Sequence, residues 1–190
     1  SVRRILLVKF RLGLFDNPFV DEDAAELAVG SAENMAEGHS AQARSVVVLE
    51  NRATEEGPVL PLPRGRRLYV EGVDAAVASA FGEVVSTIDE ADFALIRIEA
   101  PYQPRNDLFL ESYFHQGDLE FRPGLIYHLQ QLGRRAPVVL DVVLDRAAVL
   151  TPLVEIATGL TVTFGVSDDA LLRGWFGDIL PEGRLPIPLP

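Results

Sequence analysis

The runs Phe93-Ala94-Leu95-Ile96-Arg97-Ile98 and Val138-Val139-Leu140-Asp141-Val142-Val143 decide the fold class. Each is short and apolar at nearly every position, so both of its faces need cover, which is the mark of a strand inside a parallel sheet. Residues 125–132 between them carry apolar side chains at helical spacing. The same alternation extends outward in both directions. Strands are expected at 46–49, 68–70, 84–87 and 160–164, and helices at 32–45, 74–80, 147–157 and 169–176. This pattern predicts a three-layer α/β/α sandwich around a mostly parallel sheet of about six strands.

One segment breaks the alternation. Residues 100–123 contain Pro101, Pro104 and Pro123 and show no sustained period. A loop of about 20 residues within a compact domain is more often functional than idle. It leaves the carboxyl end of the strand 93–98, the edge from which ligand loops of such sheets depart. The tail 180–190 holds four prolines and is expected to be extended.

Charge is divided along the chain. Residues 1–15 carry Arg3, Arg4, Lys9 and Arg11 with no acid, and residues 16–37 carry seven acids with no base. Val2, Ile5, Leu6, Phe10 and Leu14 recur at three- and four-residue steps and predict a basic amphipathic helix. Gly13 and Asp16-Asn17-Pro18 should end it. Its apolar face needs a cover, either the sandwich or a second copy of the chain as a homo-oligomer. A helix packed on another domain accounts for it better than one lying on a membrane surface.

Across all 190 residues, 17 basic side chains stand against 28 acidic ones, a net charge of −11. Nucleic-acid partners are not expected, because such affinity rests on neutralising phosphates. With no cysteine, disulfide scaffolds, Cys-ligated zinc and thiol nucleophiles are excluded. No apolar run reaches membrane-spanning length, so no membrane partner is expected. The chain opens on Ser1 and its only methionine is Met35, which reads as a fragment or a processed form.

Chemistry has few carriers. His39, His115 and His128 lack metal-ligand spacing, and no GxSxG, P-loop or GxGxxG motif appears. No metal or cofactor is called for. A response-regulator reading would want an acidic cluster after the first strand, where Glu50 stands alone. Carboxylates remain: Glu111 and Asp118 share the long loop with Phe109, Tyr113, Phe114 and His115. Aromatic faces stack on pyranose rings, and a carboxyl group among them loses solvation, so the set suits sugar chemistry. On the residues alone, the plainer reading of two acids in a loop as solvated surface charges is the better one.

Two longer stretches bear on that choice. Val2-Arg3-Arg4-Ile5-Leu6-Leu7-Val8-Lys9-Phe10-Arg11-Leu12-Gly13-Leu14-Phe15-Asp16-Asn17-Pro18 resembles the junction segment of family 3 glycoside hydrolases, which closes a catalytic (β/α)8 barrel and leads into a second domain. Ala43-Arg44-Ser45 before Val46-Val47-Val48-Leu49 resembles the helix and first strand that follow, and Leu60-Pro61-Leu62 sits where the family has an LPL turn. Phe176-Gly177-Asp178-Ile179-Leu180-Pro181-Glu182-Gly183-Arg184-Leu185-Pro186 resembles the family's closing signature. The resemblance divides the chain into 1–17, a remnant of the barrel's last helix, and 18–190, the second-domain sandwich.

The resemblance implies an exo-acting, retaining, β-glucosidase-like enzyme. A nucleophile on the barrel would attack the sugar, while a glutamate from the second domain protonates the leaving oxygen. Glu99 matches a first, non-catalytic glutamate of the family, and Glu111 matches the acid/base, given a small insertion at Pro104. Asp118 is the second choice. In the N-acetylglucosaminidase branch the barrel itself often supplies the acid/base. Tyr113, Phe114 and His115 would contact substrate, an oligosaccharide or glycoside. The implied partner is the N-terminal barrel of the same parent chain, which alone needs about 250 residues. Without its nucleophile the chain is expected to hydrolyse nothing. The other reading is a carbohydrate-binding or interaction module without catalysis.

Overall fold

The computed structural model describes residues 1–55, 57–105, 107 and 109–190. The chain forms two compact units, Ser1–Gly38 and His39–Pro190.

The first unit opens with α1 (Val2–Arg11). Lys9 and Arg11 occupy its last turn, where positive charge suits the helix dipole. Gly13 ends it at φ +69°, with Gly13 N–H donating to the Phe10 carbonyl and Leu14 N–H to that of Lys9. That pair of bonds is a Schellman cap, which requires a left-handed residue at Gly13. None of α1 is buried. A second helix, α2 (Glu22–Ala28), had no counterpart among the expected elements. Asp21 caps it by accepting from Ala24 N–H at 3.0 Å, and none of its residues is buried. A seven-residue helix with no apolar stripe leaves no period to read. Then α3 (Ala32–Ser45) begins, with the bounds expected.

The second unit is built on a six-stranded sheet. Its strands are β1 (Val47–Asn51), β4 (Arg67–Glu71), β5 (Glu83–Val84), β6 (Phe93–Glu99), β7 (Val138–Val143) and β8 (Gly159–Thr163). A separate two-residue ribbon pairs β2 (Ala53–Thr54) with β3 (Gly57–Pro58). The main order is β1-β8-β7-β6-β4-β5. Within the six-stranded sheet every pairing is parallel except that of β1 with β8. The part of α3 from His39 onward, with α4 (Ala75–Ala78) and α7 (Asp168–Trp175), covers one face, where Ala43, Leu68, Leu95, Leu171 and Trp175 form one core. The helices α5 (Pro123–Gly133) and α6 (Thr151–Ile156) cover the other, over Ile96, Leu129, Leu140, Leu153 and Val162. The three-layer sandwich expected from the alternation is the observed architecture.

Some boundaries differ, for local reasons. Pro123 opens α5 instead of closing the long loop, since a first-turn proline gives up a donor that has no acceptor there. Pro152 likewise sets the start of α6 at Thr151, later than residue 147. β5 is only two residues long because 85–87 lead into a 3-10 turn at Ile88–Glu90. After β4, Gly72 turns at φ +70° so close to β6 that a Cβ would lie 2.1 Å from the Arg97 carbonyl oxygen.

Two charges sit inside the apolar runs. Arg97 of β6 and Asp141 of β7 are register partners. Arg97 Nε lies 3.2 Å from Asp141 Oδ2, and its Nη1 lies 2.5 Å from Asp168 Oδ1. Its Nη2 donates to the Val166 carbonyl at 2.7 Å. Thr161 and Thr163 of β8 donate to the two Asp141 oxygens at 2.9 and 2.8 Å. Trp175 Nε1 donates in turn to Thr161 Oγ1. Burial pushes the Asp141 carboxyl up to about 6, against the opposing pull of Thr163, Arg97 and Thr161. This network ties β6, β7 and β8 to the start of α7.

Candidate functional site

The segment between β6 and α5 is a stem with a tip. The outgoing limb meets the returning one where Gln103 N–H donates to the Gln116 carbonyl at 2.7 Å. Gly117 makes the close approach possible. Its φ is +89°, and a Cβ there would fall 2.5 Å from Gln103 Oε1. The Gln103 side chain then donates from Nε2 to Asp118 Oδ2 at 2.5 Å. Beside this bond Tyr102 and His115 stack, centroids 3.8 Å apart and planes within 6°.

The loop after β7 holds the stem from outside. His115 Nδ1 pairs with Asp145. Arg146 Nη2 donates to the Gly117 carbonyl at 2.8 Å, and Val149 N–H to the Leu119 carbonyl at 2.9 Å. Asp145 and Arg146 were not picked out in sequence. The available signal was their place just past the carboxyl end of β7, the edge that also launches the long loop.

Glu111 lies on the tip, in a 3-10 turn at Glu111–Tyr113. The loop is therefore not structureless. Glu111 Oε2 is 2.8 Å from Arg105 Nη2, and Arg105 also pairs with Asp107. Glu111's chain neighbours Phe109, Tyr113 and Phe114 stand 78%, 70% and 66% exposed, Phe109 edge-on to Tyr113 at 5.5 Å between centroids. The expected site residues thus separate into two sets. Glu111, Tyr113 and Phe114 share the tip, whereas Asp118 and His115 belong to the stem, each held by its own partner. Residues 106 and 108 of the tip lie outside the described residues.

A cavity of about 460 Å³ opens at the root of the stem, between the end of β6 and the start of α5. Elsewhere, His128 Nε2 sits 2.9 Å from Glu71 Oε2, and Tyr69 donates to the same carboxylate at 2.6 Å. His39 Nδ1 lies 3.8 Å from Asp169. Among the described residues no group of His, Asp and Glu side chains is placed to hold a metal ion, and no helix is long and apolar enough to cross a membrane.

The chain aligns along its entire length with curated β-glucosidases. Beta-glucosidase C of Emericella nidulans is 43% identical over 194 aligned positions, which cover 100% of this chain and 31% of the relative. The periplasmic beta-glucosidase/beta-xylosidase of Dickeya chrysanthemi is 36% identical and is covered over 29% of its length. The chain therefore spans about 30% of the length of the curated relatives it matches. No family model matches it. Among solved structures, the β-glucosidase of Listeria innocua in complex with gluconolactone superposes with a TM-score of 0.68 at 15% identity, covering 92% of this chain and 29% of that one. A β-glucosidase of Erythrobacter marinus gives 0.67 at 20% identity, with 94% and 33% covered. At those identities the structures show a shared fold. Along its whole length, the chain is similar to one domain-sized portion of longer β-glucosidases, the resemblance already carried by its opening and closing motifs.

Proposed function

We propose that the chain is the second domain of a retaining, exo-acting, β-glucosidase-like glycosidase of family 3. In this reading residues 1–17 continue from a (β/α)8 barrel, and 18–190 form the sandwich that supports the long loop. The barrel supplies the nucleophile, and Glu111 supplies the general acid/base, with Asp118 second in line. The observation that carries the reading is the tip: a carboxylate on a 3-10 turn, flanked along the chain by exposed aromatics, on a stem braced by the adjacent β7 loop. Similarity along the whole of this chain to 31% of the length of a β-glucosidase supports the glycosidase part of the reading. Asp118, by contrast, is occupied by Gln103 within the stem.

Retaining geometry sets two carboxyl groups about 5–5.5 Å apart across the scissile bond. A carboxylate on such a tip suits a site completed by a second domain. Tyr113 and Phe114 would stack on the sugar, and His115 would act from the stem. Alone, the chain lacks the nucleophile and turns over nothing. The test is Glu111→Gln in the full-length enzyme. Aryl glucosides with good leaving groups should keep their glycosylation rate, while alkyl glucosides and cellobiose lose about 10²–10⁴-fold. Equal losses on both substrate types, or none, would remove Glu111 from the acid role. The same losses produced by Asp118→Asn would transfer it there.

A further inference from the structure

We propose that the cavity at the root of the stem is a binding site for one neutral pyranose unit, separate from the tip that carries Glu111. Its volume of about 460 Å³ lies within the range of small-molecule sites. The polar lining comes from both limbs: Glu99, Tyr102 and Gln103 from the outgoing one, Asp118, Glu120 and Arg122 from the returning one. Pro101 and the buried ring of Phe121 form apolar wall between them.

This mixture selects its ligand. A sugar ring presents hydroxyls that both donate and accept, together with C–H faces that pack on aromatic and proline surface. Carboxylates and an amide meet the donors, and Arg122 meets acceptors. An anionic sugar, such as a uronate or a phosphate ester, would face three carboxylates with one guanidinium. A cation would share the wall with Arg122, while Asp118 is already taken by Gln103. Tyr102 is pre-organised, since His115 covers one of its faces. A preset ring lowers the ordering cost of binding. The choice of a sugar rests on the glycosidase reading; the cavity and its polarity do not.

The experiment titrates the isotope-labelled 190-residue chain with methyl β-D-glucoside and follows backbone amides by NMR. Saturable shifts at Gln103, Glu120 and Phe121 are expected, with a dissociation constant on the order of 1–10 mM. Glu120→Gln should weaken binding about tenfold, and so should Tyr102→Ala, with the remaining spectrum intact in Glu120→Gln. Absence of saturable shifts up to about 100 mM overturns the proposal. So do shifts confined to Phe109 and Tyr113, unchanged affinity in both variants, or tighter binding of glucuronate or spermidine than of the neutral glucoside. Each outcome is read without hydrolysis, so it leaves the Glu111 reading to its own test.

Discussion

Arg105 pairs with Glu111 in the tip of the long loop, its Nη2 2.8 Å from the Oε2 of the residue that opens the 3-10 turn. Both side chains are solvent-accessible, so the pair contributes little to global stability. Its work is local. Within the turn, Tyr113 N–H bonds the Leu110 carbonyl at 3.3 Å and Phe114 N–H bonds that of Glu111 at 3.2 Å. Arg105→Ala should leave the melting temperature unchanged while speeding amide exchange at Tyr113 and Phe114. Unaltered exchange at both amides would mean the turn stands without its ion pair.

The stem predicts a different response. Stacked aromatic pairs contribute about 0.5–1.5 kcal/mol beyond area burial. His115→Ala removes the Tyr102 stack and the Asp145 contact together, and should cost about 1 kcal/mol in urea unfolding. Proteolysis should then concentrate within the 104–114 tip. His115→Phe keeps the stack and loses only the Asp145 contact, so its stability should fall between those two proteins. If His115→Ala unfolds at the wild-type urea midpoint, the stack does not brace the stem.

Glycines at the two ends of the site should respond with opposite signs. Gly117 has φ +89° and no room beside Gln103, so Gly117→Ala is expected to cost about 1–3 kcal/mol and to break the Gln103–Asp118 bond. Gly124 lies in the first turn of α5 with open space at its Cβ and no positive φ. Gly124→Ala should stabilise by about 0.5–1 kcal/mol, through helix propensity and a less free unfolded chain. Thermal unfolding of the two variants checks both signs.

Much of the sandwich was legible because strands buried on both faces leave near-continuous apolar runs, as β6 and β7 do. What stayed hidden depends on partners distant in sequence. Nothing in 46–49 signals that β1 runs antiparallel to β8, because direction is set by chain connections. The opposite charges of Arg97 and Asp141 were visible in their runs, but their pairing needs the register of β6 on β7. At the site, the loop, its carboxylates and its aromatics could be read directly. The stem could not, since the Tyr102–His115 stack and the Asp145 anchor join residues from three parts of the chain.

The buried carboxyl of Asp141 gives stability a pH dependence of definite sign. Its folded pKa of about 6 stands above the ordinary carboxylate value, so the folded chain holds this proton more tightly than the unfolded one. The resulting stability is fully present below about pH 4 and is lost as pH rises through 6. A shift of this size corresponds to about 3 kcal/mol over that window. Asp141→Asn cannot titrate, and Arg97 keeps Asp168 and the Val166 carbonyl as partners. An asparagine can still accept from Thr161 and donate to Thr163. The stability advantage of wild type over Asp141→Asn should therefore shrink by about 3 kcal/mol between pH 4 and pH 7. Urea unfolding at half-unit pH steps measures it. Parallel curves for the two proteins would mean that Arg97 and the two threonines fully offset the cost of burying this charge.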